Sequence, residues 1–384
     1  MRAFAVVVVV LAGCFSPQPQ AGQPCNPTDD WCPDPLQCGS DKICHDPNAM
    51  PSSRYNMVFV TSSPTPQPIY DYDDPVQLDA VCANLAVRAN LPQNTYVAWV
   101  STQDGINASD RLHDARGFVR TDNAPIADTI QDLLDGTILN PIDFTEHVEP
   151  APYDIDVFTQ TDANGMFSAL TGTSIGDCLT DPTATIAASG QADATIIDWT
   201  QHKTVDCIEA QLLYCFGTDL KVPLEPTKAM PGKLAFLSSA KLPGNVGEAM
   251  FDTECNTEAV NHGISETTMF VALMASTTHG ASAIGATSSA GWHRPDQQPA
   301  LTASFDMIAP INVDLDNHYI KDLTWTGVLD TGIANPSTFA ADCGDWDSAG
   351  GQANVGSSTR SGPQGYHDDE DACGNPHRVF CIEK

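Results

Sequence analysis

Basic residues are scarce in this chain. Seventeen Lys and Arg stand against forty-nine Asp and Glu among 384 residues, a formal charge of −32. A field of that sign repels nucleic acid, heparin-like polyanions and anionic lipid, so none of these is an expected partner. Long apolar runs are nearly missing too: Ala3–Leu11 is the one continuous stretch, and it is too short to span a bilayer. The zinc-protease motif His-Glu-x-x-His, the phosphate loop and the dinucleotide fingerprint are all absent. A non-enzymatic protein is therefore expected, with a hydrolase hidden in irregular loops as the competing reading. Apolar content is ordinary at 42%, which separates the chain from acidic disordered proteins.

Cysteine is present in an ordered series. Cys14 stands alone, Cys25, Cys32, Cys38 and Cys44 crowd together, and two spaced sets follow, Cys82/Cys178/Cys207/Cys215 and Cys255/Cys343/Cys373/Cys381. Second and third members lie 29 and 30 residues apart, and third and fourth lie 8 apart in both sets. That repetition points to one domain copied once. Paired structural cysteines also place the protein in an oxidising compartment.

Residues 1–14 read as a processed signal: Arg2 supplies the positive end, the apolar run follows, and Leu11-Ala12-Gly13-Cys14 closes it. This ending resembles the lipobox of bacterial lipoproteins, in which the cysteine is lipidated and becomes the first mature residue. An ordinary secretory signal is the competing reading. Lipidation of Cys14 would leave twelve cysteines in three sets of four and make the lipid the membrane contact. Phe15-Ser16 resembles lipoproteins sorted to the outer membrane, so an outer-membrane or cell-surface location is expected, with periplasmic or secreted protein as the alternative. Residues 15–24 form a Pro/Gln/Gly-rich spacer. Residues 25–46 hold Cys25, Cys32, Cys38 and Cys44 in a segment too short to bury a core, so two disulfides among themselves are expected, with zinc binding as the competing reading; three pairings are open.

Two large segments follow, 55–217 and 233–384, joined by a linker at 218–232. Met57–Ser63 and Leu234–Ser239 read as buried strands ending in hydroxyls. A cysteine-bearing helix follows in each: Leu78, Val81, Cys82, Leu85, Ala86 and Ala89 form one apolar stripe, and Met250, Cys255, Ala259 and Val260 the other, with Gly263 ending the second helix. Further matched pieces are Thr95–Ser101 with Met269–Ala275, Gly117–Arg120 with Gly291–Arg294, Phe158-Thr159 with Trp325-Thr326-Gly327, Gly190–Ala192 with Gly351–Ala353 (both Gly-Gln-Ala), and Leu212–Cys215 with Val379–Ile382. Short strands, one strong helix and long loops argue for an α+β domain.

This ordered set resembles the endostatin domain, the C-terminal domain of certain vertebrate collagens, and related bacterial lipoprotein domains of unknown function. The second segment is the closer match, through Trp325-Thr326-Gly327 and Val379–Glu383. The resemblance implies two tandem C-type-lectin-like domains with nested disulfides: Cys82–Cys215 around Cys178–Cys207, and Cys255–Cys381 around Cys343–Cys373. The family's heparin binding is not expected here, because clustered arginines are missing, and its N-terminal zinc-binding histidines have no counterpart.

Chemistry-bearing groups are few. His367 with Asp368, Asp369 and Asp371 is the metal candidate; close-spaced carboxylates suit calcium, the one cofactor left open. Asp71, Asp73 and Asp74 form a weaker acidic cluster. Trp199, Trp292 and Trp346 are candidates for a ligand platform, with partly buried packing as the competing reading. His293 beside Asp296 reads as a surface histidine. The expected protein is a non-enzymatic surface lipoprotein that recognises a protein or a neutral glycan, or else a purely structural envelope protein.

Overall fold

The computed structural model describes residues 32, 33, 36–38, 44, 45 and 54–384, apart from 93, 94, 137, 169–175, 182, 226–230, 277–279, 281–284 and 329–341. The chain divides into two units, Met1–Arg54 and Tyr55–Lys384. In the first, Gln37–Cys38 pairs antiparallel with Cys44–His45, and a disulfide joins Cys32 to Cys44. The expected lipid attachment at Cys14, the leader, the spacer and Cys25 lie outside the described residues.

The second unit begins with β1, Asn56–Val60, whose five residues are all buried. Met57 and Phe59 face one apolar cluster while Val58 and Val60 face another, so the strand reads as a continuous apolar run because both faces are covered. Helix α1, Pro75–Arg88, starts where Asp74 accepts the Gln77 N–H at 3.0 Å and Pro75 takes the first helical position. Its Leu78, Cys82 and Ala86 pack on the Met57/Phe59 face. Burying Leu78 alone contributes roughly 2 kcal/mol. There follow β2 (Tyr96–Ala98), β3 (Phe118–Arg120), β4 (Pro125–Ala127), β5 (Asp156–Phe158), β6 (Ile186–Gln191), β7 (Lys203–Asp206) and β8 (Leu212–Gly217). They pair in the order β4-β3-β1-β8-β5-β6-β7, with β2 also on β8.

Residues 233–384 repeat this pairing. The elements are β9 (Lys233–Leu237), α2 (Glu248–Asn261), β10 (Phe270–Ala272), β11 (Trp292–His293), β12 (Pro299–Leu301), β13 (Leu323–Trp325), β14 (Gln352–Ser357), β15 (Asp369–Ala372) and β16 (Phe380–Glu383). The order β10-β16-β9-β11-β12 reproduces β2-β8-β1-β3-β4, and β13-β14-β15 reproduces β5-β6-β7. β1 runs parallel to β3, and β9 runs parallel to β11. β5 runs parallel to β8, and a parallel bridge between Thr324 and Arg378 stands in the same place. Side-chain anchors repeat as well: Asp79 on α1 accepts the Ala98 N–H, and Asp252 on α2 accepts the Ala272 N–H, both at 2.8 Å. The architecture is α+β, mostly sheet with few helices.

Disulfides join Cys82 to Cys215, Cys178 to Cys207, Cys255 to Cys381 and Cys343 to Cys373. In each half one bond ties the helix to the closing strand, α1 to β8 and α2 to β16. The other closes the open end of a hairpin, β6–β7 or β14–β15.

Three expectations change. The two Gly-Gln-Ala tripeptides are not equivalent. Val157 faces Gly190 across β5–β6, and Thr324 faces Gly356 across β13–β14. With Phe158 matched to Trp325, the partner of Gly190 is therefore Gly356, and Gly351 lies just before β14. Packing agrees, since a Cβ on Gly190 would sit 1.9 Å from the Trp199 carbonyl oxygen and one on Gly356 2.0 Å from that of Gly365. The stripe on α2 is also different. Phe251, Cys255, Glu258 and Ala259 are buried, whereas Met250 and Val260 face outward. Finally, residues 220–224 of the expected linker are pinned to the first half. Asn56 Nδ2 donates to the Leu220 carbonyl at 2.8 Å, Asn56 Oδ1 accepts the Leu220 N–H at 3.0 Å, and the Leu224 N–H donates to Asp128 at 2.7 Å.

Candidate functional site

Each half carries a buried arginine at the end of its third strand, Arg120 as its last residue and Arg294 just after it. Arg120 donates Nε and Nη2 to Asp122 at 2.8 and 2.7 Å and Nη1 to the Pro141 carbonyl at 3.0 Å. Arg294 donates likewise to Asp296 at 3.1 and 2.7 Å and to the Pro310 carbonyl at 2.9 Å. The planar fork fits a carboxylate bidentately, which is why arginine rather than lysine serves here. The remaining partner differs, Asp143 in the first half and Asn312 in the second. Burial pushes the Asp143 carboxyl up, against the pull of Arg120.

From these anchors the halves lock together. Arg294 Nη2 donates to the Leu139 carbonyl at 2.6 Å, and Asn140 Nδ2 donates to Gln298 at 2.9 Å. Asn312 Nδ2 donates to Thr195 at 2.9 Å. Backbone joins backbone where the Thr195 N–H meets the Thr359 carbonyl and the Ser361 N–H meets the Asp193 carbonyl, both at 2.9 Å. Arg360 then crosses to Asp193 at 3.0 and 3.1 Å and to Asp154 at 3.2 Å, all through Nη2. Tyr153 lies so close to the second half that a Cβ on Gly362 would sit 2.2 Å from its ring.

Beside this seam opens a cleft of about 330 Å³ lined from both halves. Asp198 and His202 come from the first half; Lys321, Ser357, Arg360 and Asp368 come from the second. Lys321 Nζ donates to Asp198 at 2.6 Å, Thr359 Oγ1 donates to its other oxygen at 3.3 Å, and His202 Nδ1 stands 3.9 Å away. Burial opposes the Asp198 charge, but His202 and Lys321 outweigh it and hold the carboxyl below its ordinary range. Arg360 is nine-tenths buried, and among the described residues its Nε has no acceptor and its Nη1 donates to no protein atom. Asp368 is exposed and, among the described residues, accepts no hydrogen bond from any side chain or backbone group. The cleft therefore offers a fixed cationic donor and a free carboxylate, and its groups can bind by charge and hydrogen bonding.

A second cavity of about 330 Å³ lies among Asp128, Asp132, Asp135 and Tyr319. Its acids are already engaged: Asp128 with Arg116, Asp132 with the Thr129 N–H and Asp135 with Gln131.

The sequence candidates fare differently. Trp199, Trp346 and Trp292 are 0%, 0% and 2% exposed, so the expected ligand platform is not formed. Trp199 packs on Trp99, Trp346 on Trp325 and Phe251, and Trp292 on Phe305. His367, Asp368, Asp369 and Asp371 do not converge on one point. Asp368 reaches the cleft, whereas Asp371 holds His377 at 2.6 Å and Asn375 at 2.8 Å. Asp74 caps α1. Among the described residues, the group that brings three metal-type ligands together is Asp314, Asp316 and His318. Asp314 Oδ1 accepts the N–H groups of Asp316 and His318 at 3.0 and 2.8 Å, which closes a turn. Thr145 Oγ1 closes the matching turn of the first half by accepting the His147 N–H at 3.3 Å.

Sequence reading missed Arg360 and Lys321. The available signal was rarity: in so acidic a chain an arginine inside Ser-Ser-Thr-Arg-Ser, among small residues, is a marked position. Gly172-Thr173-Ser174-Ile175-Gly176 has the spacing of a nucleophile elbow, and all of it but Gly176 lies outside the described residues. No protein-family model matches the chain, and no curated protein matches it in sequence.

Proposed function

We propose that this chain is an exported, lipid-anchored recognition protein without enzymatic activity, built from two tandem endostatin-like domains of lectin-like fold. It engages a protein or a neutral glycan at the cell surface. The observation that carries this reading is the repeated strand order, with its helix-to-strand and hairpin disulfides, in two halves that share one seam. Such a frame stiffens long loops, and loops on a rigid scaffold are where binding residues concentrate. The lipid at Cys14 supplies the membrane contact, and the −32 charge excludes polyanionic ligands. Burial of Trp199, Trp292 and Trp346 removes these three rings as a sugar platform, and polar contacts from the loops and the seam are the expected means of recognition. Binding to a glycan and protein array, run with and without calcium, tests this; a saturable binder is expected. Absence of any binder in both conditions would overturn recognition and leave the structural-envelope reading.

A further inference from the structure

We infer that the cleft at the seam binds a small zwitterion carrying a carboxylate and an ammonium group, of which a free α-amino acid is the smallest common form. This site goes beyond the surface recognition proposed above and does not depend on it.

Three features of the cleft select that chemistry. Arg360 is held in place through Nη2 by Asp193 and Asp154, and is left with donors that no protein atom accepts. A buried guanidinium with unmet donors is costly; Nε is sealed from solvent, and a ligand carboxylate would meet the need at Nη1. Lys321 lines the same cleft with Nζ bonded to Asp198 and its side chain half exposed, so it retains N–H groups for a ligand. Asp368 supplies the opposite charge, a carboxylate with no protein donor on the same cleft.

The molecule's overall charge decides between an anion and a zwitterion. A simple anion approaching a body of net charge −32 is repelled before it reaches Arg360. A zwitterion carries no net charge, and its ammonium meets Asp368 as its carboxylate meets Arg360. The volume of about 330 Å³ accommodates a small polar amino acid with bridging water. Leu323 is the one apolar side chain on the lining, so large aromatic amino acids are disfavoured.

Calorimetric titration of the full chain with free serine, acetate and methylammonium tests the site. Serine is expected to bind saturably, and each single-charge fragment at least about tenfold more weakly. Asp368→Asn, which breaks no internal hydrogen bond, is expected to weaken serine binding about tenfold while leaving the melting temperature unchanged. Glu370→Gln removes the same charge from the neighbouring exposed strand and is expected to leave the affinity as it was. Failure of serine to bind overturns the proposal, as does unchanged affinity in Asp368→Asn or an equal loss in both variants. The array measurement of macromolecular binding is separate, so either idea can fail alone.

Discussion

Arg360 of the second half donates to both carboxylate oxygens of Asp193 of the first, at 3.0 and 3.1 Å, and both residues are buried. Burial pushes the Asp193 carboxyl up, and the guanidinium offsets only part of that push. Replacing Arg360 by Met leaves an unpaired buried carboxylate at the seam and is expected to cost about 3–5 kcal/mol of stability. Adding Asp193→Asn should recover much of the loss. Denaturant midpoints for the two single variants and the double variant measure this, and strictly additive losses would refute the coupling.

Gly190 and Gly351 test which glycine the fold requires. A Cβ at Gly190 would lie 1.9 Å from the Trp199 carbonyl oxygen, whereas one at Gly351 meets nothing within 4 Å. Gly190→Ala is expected to destabilise by about 3 kcal/mol or more, through overpacking against backbone that cannot yield. Gly351, at φ +98°, carries only backbone strain on substitution, on the order of 1–2 kcal/mol. Thermal melts of the two alanine variants should rank them in that order.

Glu258 sits on the buried face of α2, with one oxygen accepting the Ser239 N–H at 2.6 Å and the other unpartnered. Burial pushes its carboxyl up to about 7 from the ordinary 4.5. Below pH 4.5 both the folded and the unfolded chain carry the proton, so the group leaves stability unchanged. Between 4.5 and 7 only the fold holds it, and stability falls as pH rises through that window. Glu258→Gln keeps the bond to Ser239 and removes the charge. Its gain over the parent should grow from pH 5 to pH 7.5, by on the order of 1–2 kcal/mol after solvent screening. A pH-independent difference between the two would contradict this.

The hairpin disulfide Cys343–Cys373 closes the open end of β14–β15. Replacing both cysteines by serine is expected to cost about 2–4 kcal/mol in denaturant unfolding. Removal of the matching Cys178–Cys207 bond should cost a similar amount, because its sequence separation of 29 nearly equals the 30 of Cys343–Cys373 and it closes the equivalent hairpin, β6–β7.

Cys14→Ser is expected to abolish incorporation of a labelled fatty acid and to move the protein from the detergent phase to the aqueous phase. Retained label in that variant would place the lipid elsewhere.

Much of the fold was legible because its signals are local. Val58-Phe59-Val60 and Ala235-Phe236-Leu237 are apolar on both faces, and a strand buried on both sides has no other composition. Gly263, at φ +81°, marks the end of the second helix, whereas Asp74, read in sequence as part of an acidic cluster, proves to cap the first. Register was not legible. The two Gly-Gln-Ala tripeptides look alike in sequence, but only cross-strand pairing shows that Gly190 answers to Gly356. Glu258 took a buried helical position that sequence reading reserves for an apolar side chain, since the Ser239 N–H that holds it is 19 residues away.

By itself the sequence determined the order of the matched elements, the sharing of cysteines between two halves, and a net charge of −32. These follow from periodicity, spacing and charge, which are properties of the chain before it folds. The tertiary structure alone decided the seam. Arg360 meets Asp193 across 167 residues, and Lys321 meets Asp198 across 123. It also decided that Trp199, Trp292 and Trp346 face inward. A side chain's neighbours across such distances are set by how the two sheets pack, and no local pattern encodes them.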